Sequence, residues 1–120
     1  MKAVLSAEKH PYLNYNEQQA LGAVIAEVPL LIEAMKEIVL YGSKARGDFS
    51  EESDIDLLFV SDGPVSRQKK IEVYDALYEL EVDHDVVISA VFADSEAYAA
   101  DGSHFLRTVK KEGVLLWSRG

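Results

Sequence analysis

The stretch LYGSKARGDFSEESDIDLLFV, Leu40–Val60, decides how this chain of 120 residues is read. It leaves the apolar run Ile38-Val39-Leu40, the body of a predicted strand over Glu37–Tyr41. It then passes through Gly42–Ser53, which is polar and punctuated by glycine, and reads as a loop with room for one helical turn. A second apolar run, Ile55–Val60, reads as another strand and opens with Asp54-Ile55-Asp56. Each part of the stretch has a chemical use. Glycine at position 42 lets backbone approach a ligand where a side chain would collide. Ser43 adds a hydroxyl beside backbone N–H groups, a combination suited to anions. Asp54 and Asp56 are two apart on a strand, so their carboxylates share a face with Cα atoms about 7 Å apart. Side by side they repel unless a cation or a shared proton intervenes. Hard oxygen ligands of this kind suit Mg²⁺, which bridges to substrate phosphates.

Working outward, residues 1–15 show no clear period and read as a lead-in, with 16–120 as a single domain. Asn16 and Gln19 have the spacing of a capping box, and Ala20, Leu21, Val24, Ile25 and Val28 follow at helical spacing. Pro29 is expected to end or kink that helix, with a second helical stretch over Leu30–Lys36. Beyond Val60, Ser61-Asp62-Gly63-Pro64 is a turn, and Ser66 caps a helix through Leu80 with Ile71, Tyr74, Leu77 and Tyr78 on one face. Val82–Phe92 reads as a strand, and Asp94 or Ser95 starts a short helix to Ala100. Residues 103–111 are helical, and Val114–Trp117 form a last strand carrying a packed Trp117. Helices alternating with strands predict an α/β (α+β) fold, a small mixed sheet flanked by helices.

Twelve basic and 21 acidic residues give a net charge of −9, with 48% apolar and 28% charged residues. That balance argues against gripping nucleic acid through its phosphates and against docking on anionic lipid. No segment approaches the roughly 20 apolar residues of a membrane span. Glu8 and Lys9 stand where a signal peptide would be apolar. The absence of cysteine removes disulfides and thiolate zinc sites and fits a reducing cytoplasm.

A glycine-serine turn beside a carboxylate pair is equipment for nucleotidyl transfer, in which bound metal neutralises a triphosphate. Such sites commonly use a third carboxylate from a neighbouring strand. Asp83 and Asp85, two apart on the predicted strand Val82–Phe92, both qualify. Asp85 is preferred because the apolar run starts directly after it. Gly42-Ser43, ten residues, then Asp54-x-Asp56 resembles the signature of the DNA polymerase β-like nucleotidyltransferase superfamily. Ala45-Arg46-Gly47 is similar to its minimal nucleotidyltransferase branch. Asp85 with the Val-Val-Ile-Ser that follows resembles that branch's third-carboxylate strand, and Phe105-Leu106-Arg107 through Glu112-Gly113-Val114 resembles its C-terminal segment. The resemblance implies the polymerase β-like fold and Mg²⁺-dependent transfer of AMP from ATP. It also implies pairing with a HEPN-type ribonuclease toxin, which the nucleotidyltransferase neutralises by adenylylating a tyrosine. Gly42 and Ser43 would then hold the β,γ-phosphates, and Asp54, Asp56 and Asp85 two metal ions.

Other readings compete with these. Lys44 and Arg46 either steer the triphosphate or stay solvated; Arg46 is better suited, because a guanidinium matches phosphate oxygens bidentately. Arg67, Lys69 and Lys70 read as the solvated start of a helix. His84, between Asp83 and Asp85, falls on the opposite strand face as a packing or surface histidine. His10 and His104 lack partners at metal-ligand spacing. Ser43 sits in no Gly-x-Ser-x-Gly elbow, and Gly42–Gly47 lacks the Gly-Lys-Ser/Thr ending of a P-loop. Two alternative functions stand beside protein adenylylation: a binding module that silences its partner by occlusion, and transfer to a small molecule such as an aminoglycoside. The second is expected to need an acceptor-binding wall, for which 120 residues leave no room outside a homo-oligomer.

Overall fold

The computed structural model of the protein describes residues 12–48 and 54–119. The readings placed on residues 1–11 and on the part of the Gly42–Ser53 loop at 49–53 lie outside them. In chain order the described elements are α1 (Tyr15–Leu31), β1 (Met35–Tyr41), α2 (Ser43–Arg46) and β2 (Ile55–Ser61). There follow α3 (Arg67–His84), β3 (Ile88–Asp94), α4 (Ser95–Ala99), α5 (His104–Glu112) and β4 (Val114–Ser118).

The four strands form one mixed sheet in the order β3-β2-β1-β4. β1 pairs antiparallel with both β2 and β4. β2 and β3 run parallel, which is possible because α3 carries the chain back between them. β2 is central and buried on both faces, which is why Leu57–Val60 is an uninterrupted apolar run rather than an alternating one. One face of the sheet presents Ile38, Leu40, Ile55, Leu57 and Phe59 to α1 and α3, and this layer is the main core. The other face carries Val39, Leu58 and Val60 against Leu106 and Val109 of α5.

Several local expectations are corrected. The cap of α1 is Asn14, not Asn16: the Asn14 side chain accepts from the Glu17 N–H, and Glu17 accepts from the Asn14 N–H in return. Glutamate three residues on makes the reciprocal bond that Gln19 was expected to make. Leu13, inside the expected lead-in, is buried in the core. Pro29 does not end the helix, which continues to Leu31. Proline sits there in the last turn, where only the bond to Ile25 is forgone, and Ile32 N–H still closes the end on Val28 O. The helical stretch expected over Leu30–Lys36 is therefore absent, and β1 begins at Met35.

The largest corrections concern α3. It buries Val73, Leu77 and Leu80, whereas Ile71, Tyr74 and Tyr78 are 42%, 46% and 66% exposed. Both sets have helical spacing, and only packing against the sheet selects between them. The helix also overruns Leu80 to reach His84, so Val82–His84 is helix, and the strand starts at Ile88. His84 accordingly has no strand face; it is the partly buried last residue of α3.

Candidate active site

β1 and β2 deliver the key residues to one end of the sheet. Tyr41, the last residue of β1, lies in register with Asp56, and Asp56 in turn with Ser89 of β3. Asp56 therefore sits on the same face as Val39 and Leu58, the α5 side. Gly42 follows Tyr41 at once with φ +78° and ψ −158°, a conformation that essentially only glycine adopts. A Cβ at Gly42 would collide with the Asp56 carboxylate. Position 42 thus requires glycine twice over, once for the backbone and once for the carboxylate beside it. Gly42→Ala should cost about 1–3 kcal/mol from backbone strain alone and displace Asp56 as well. Thermal unfolding and nucleotide titration of the same variant should show a lower midpoint and a larger loss of binding than the stability change explains.

The electrostatics mark Asp56 as the strained member of the pair. Burial raises its carboxyl above the usual range, the charge of Asp54 raises it further, and Arg46 pulls the other way. Burial, and then Asp56, push the Tyr41 phenol upward in the same fashion. The Tyr41 ring is packed edge-on against Phe105 of α5, 5.4 Å between centroids, which walls the site on that side. Asp54 stands exposed just before β2.

Ser43 opens α2, and the first intrahelical bonds are those from Ala45 and Arg46 N–H to Gly42 O. An amide at the Ser43 position precedes the helical ladder. Lys44, read from sequence as a cation that steers phosphate or stays solvated, is instead buried. Its Nζ lies 2.8 Å from Glu17 Oε2, with the two side chains 3% and 7% exposed. Arg46 is exposed and held on two sides. Its Nε donates to both Asp48 oxygens, and its Nη1 donates to Glu112 Oε1 at 2.9 Å. The bond to Asp48 raises the guanidinium above its ordinary value; desolvation opposes it, and the charges of Asp48 and Glu112 add to the rise.

The strand expected to carry the third carboxylate does not extend over Asp83 and Asp85. Asp83 and Asp85 are not two apart on a strand face: Asp83 is an exposed residue within α3, and Asp85 caps that helix with φ +55°. Among the described residues no group of three or more His, Cys, Asp or Glu side chains is arranged to hold a metal ion. Asp85 does lie toward the same end of the sheet as the pair, because Ile55 N–H donates to Val87 O where β3 begins. The donor chemistry of Asp54 and Asp56, two carboxylates whose mutual repulsion a cation would relieve, fits a divalent ion that takes its remaining ligands from substrate.

Sequence reasoning missed Glu17 and Glu112. The pattern Asn14-x-x-Glu17 is a capping box and was available as a signal. The Glu17 pairing to Lys44 and the Glu112 pairing to Arg46, 66 residues apart, leave no local trace.

Comparison with known proteins agrees with this geometry. Residues 23–116 match the nucleotidyltransferase domain family. A protein of Methanocaldococcus jannaschii named a protein adenylyltransferase is 38% identical over 84 residues, 69% of this chain and 79% of the relative. Among solved structures, a nucleotidyltransferase of Sulfolobus solfataricus superposes with a TM-score of 0.62 at 22% identity, covering 95% of this chain and 88% of its own. The MNT antitoxin in complex with the tri-AMPylated HEPN toxin of Shewanella oneidensis gives a TM-score of 0.55 at 18% identity, over 85% of this chain and 72% of that one. The glycine turn against the paired carboxylates and the match over most of its length agree: this chain belongs to the nucleotidyltransferase domain family and is a nucleotidyltransferase.

Proposed function

We propose that this nucleotidyltransferase moves AMP from ATP to a hydroxyl of a partner protein, a tyrosine of a HEPN-type ribonuclease toxin, and thereby acts as its antitoxin in the cytoplasm. The observation that carries the reading is the abutment of Gly42 on the Asp56 carboxylate, which sets the glycine turn directly beside the acidic pair. The relative named a protein adenylyltransferase and the antitoxin seen with an AMPylated toxin support the choice of a protein acceptor.

In this reading Gly42, Ser43 and Arg46 hold the β,γ-phosphates. Asp54 and Asp56 hold Mg²⁺, which supplies charge neutralisation for the triphosphate. Asp85 is the proposed third carboxylate for a second ion, and the proposed acceptor of the hydroxyl proton. The acceptor oxygen bonds to the α-phosphorus, the bond from that phosphorus to the bridging oxygen breaks, and pyrophosphate leaves. Ser89 and Val91 are exposed on the face that Asp56 shares, which supports acceptor approach across β3.

The reading is tested by incubating the protein with ATP, Mg²⁺ and a HEPN-type protein encoded beside it, then mapping the partner by mass spectrometry. An adenylyl group on a tyrosine is the expected result. A partner silenced without modification would replace it with the occlusion mechanism.

A further inference from the structure

The Glu112 carboxylate bonds the same groups that the proposed function assigns to the triphosphate. Its Oε1 accepts from Arg46 Nη1 at 2.9 Å and lies 3.4 Å from the Gly42 amide nitrogen, which also donates to it. The backbone carrying Glu112 is fixed. Gly113 N–H closes α5 on Val109 O at 2.6 Å. A Cβ at position 113 would meet Val109 O at 2.5 Å and Val39 Cγ1 at 2.7 Å. The end of α5 is therefore seated against β1, the strand that runs into Gly42. Arg46, by contrast, is a long exposed side chain whose other partner, Asp48, belongs to the same loop. Glu112 is the contact that ties this guanidinium to the sheet.

We propose that Glu112 is a positioning residue for the nucleotide. It holds the Arg46 guanidinium and the Gly42 turn in one arrangement, so that the remaining donors of the guanidinium fork meet the β,γ-phosphates beside the turn. A preset fork loses less freedom for each hydrogen bond it makes. The inference rests on the reading of Gly42, Ser43 and Arg46 as the phosphate site. It goes beyond that reading by making the C-terminal end of α5 a determinant of triphosphate affinity.

The test is calorimetric titration of ATP and of AMP, each with Mg²⁺, into the wild type, Glu112→Ala and Glu112→Gln, together with steady-state transfer kinetics. Glu112→Ala should weaken ATP roughly three- to tenfold, the range for a charge-assisted contact at a partly exposed site. It should leave AMP affinity unchanged, and raise KM while holding kcat within about twofold. Glu112→Gln should restore most of the ATP affinity, because an amide oxygen still accepts both bonds. Unchanged ATP affinity in Glu112→Ala would overturn the inference. So would tighter ATP binding, which would make Glu112 a competitor of the phosphates, or equal losses for ATP and AMP, which would make it a structural residue only. A wild type that binds ATP no better than AMP would overturn the phosphate-site reading itself, and it shows before any variant is made.

Discussion

Asp56→Asn is expected to lower nucleotidyl transfer by about 10³-fold or more, the loss that follows when several kcal/mol of charge stabilisation disappear, while the protein stays folded. The asparagine keeps the shape that sits against Gly42 and removes the charge that a cation needs. Its effect on stability has a sign that a merely damaging substitution would not have. Burial and Asp54 raise the Asp56 carboxyl above its ordinary 3.8, so the folded protein holds that proton more tightly than the unfolded chain. The contribution of Asp56 is therefore fully present below pH 3.8 and is lost as pH rises through the raised value. The substituted amide never ionises. In chelator-containing buffer, the variant's unfolding midpoint relative to wild type should rise across that window and remain at or above wild type at neutral pH. A variant that loses activity and is also less stable at neutral pH would show that Asp56 acts through folding.

Glu17→Ala is expected to destabilise the protein by about 3–5 kcal/mol, the range for removing one partner of a buried ion pair. Both oxygens of Glu17 are engaged: Oε1 accepts from the Asn14 N–H, and Oε2 faces Lys44 Nζ at 2.8 Å. Alanine strips the capping box and leaves the Lys44 ammonium buried without the carboxylate that faces it. Glu17→Gln separates the two effects, since its amide oxygen can still cap the helix, and a cap accounts for only about 1 kcal/mol. Combining Glu17→Gln with Lys44→Met should recover much of the loss, because no buried charge then remains between the two positions. Urea unfolding with an unchanged slope is the measurement. The pair also matters to the site, because Lys44 lies between Ser43 and Arg46. It moors the short helix α2 to α1, and with it the turn that begins at Gly42.

These two sites illustrate what can be read from the chain alone. The placement of Gly42, Ser43 and Asp56 was legible because it depends on local spacing, a strand end, a turn and the start of the next strand, whereas Asp54, expected on that strand, stands just before it. The mixed sheet was legible for the same reason, through apolar runs that match strand lengths. The Val82–Phe92 region was misread because Val82, Val86 and Val87 favour strands, while the sheet offers α3 a surface on which Val73, Leu77 and Leu80 bury. The helix runs past Leu80 to His84, and Asp85 takes the left-handed conformation that ends it. The burial of Lys44 was equally out of reach, since a lysine beside Gly-Ser looks the same in the sequence whether it faces solvent or a glutamate 27 residues earlier. Arg46 stood out in the sequence as a guanidinium beside the Gly-Ser turn, but its anchor on α5 arises from packing of the chain's last third against β1.

The most direct test of the account follows two labels in parallel. The protein is incubated with Mg²⁺ and its acceptor, in one reaction with ATP labelled at the α-phosphate and in another with ATP labelled at the γ-phosphate. Attack on the α-phosphorus predicts acceptor labelling from the first reaction and none from the second, with the α-label absent from the Asp54→Asn and Asp56→Asn reactions. Labelling from the γ-phosphate, or undiminished α-labelling by both variants, would contradict it.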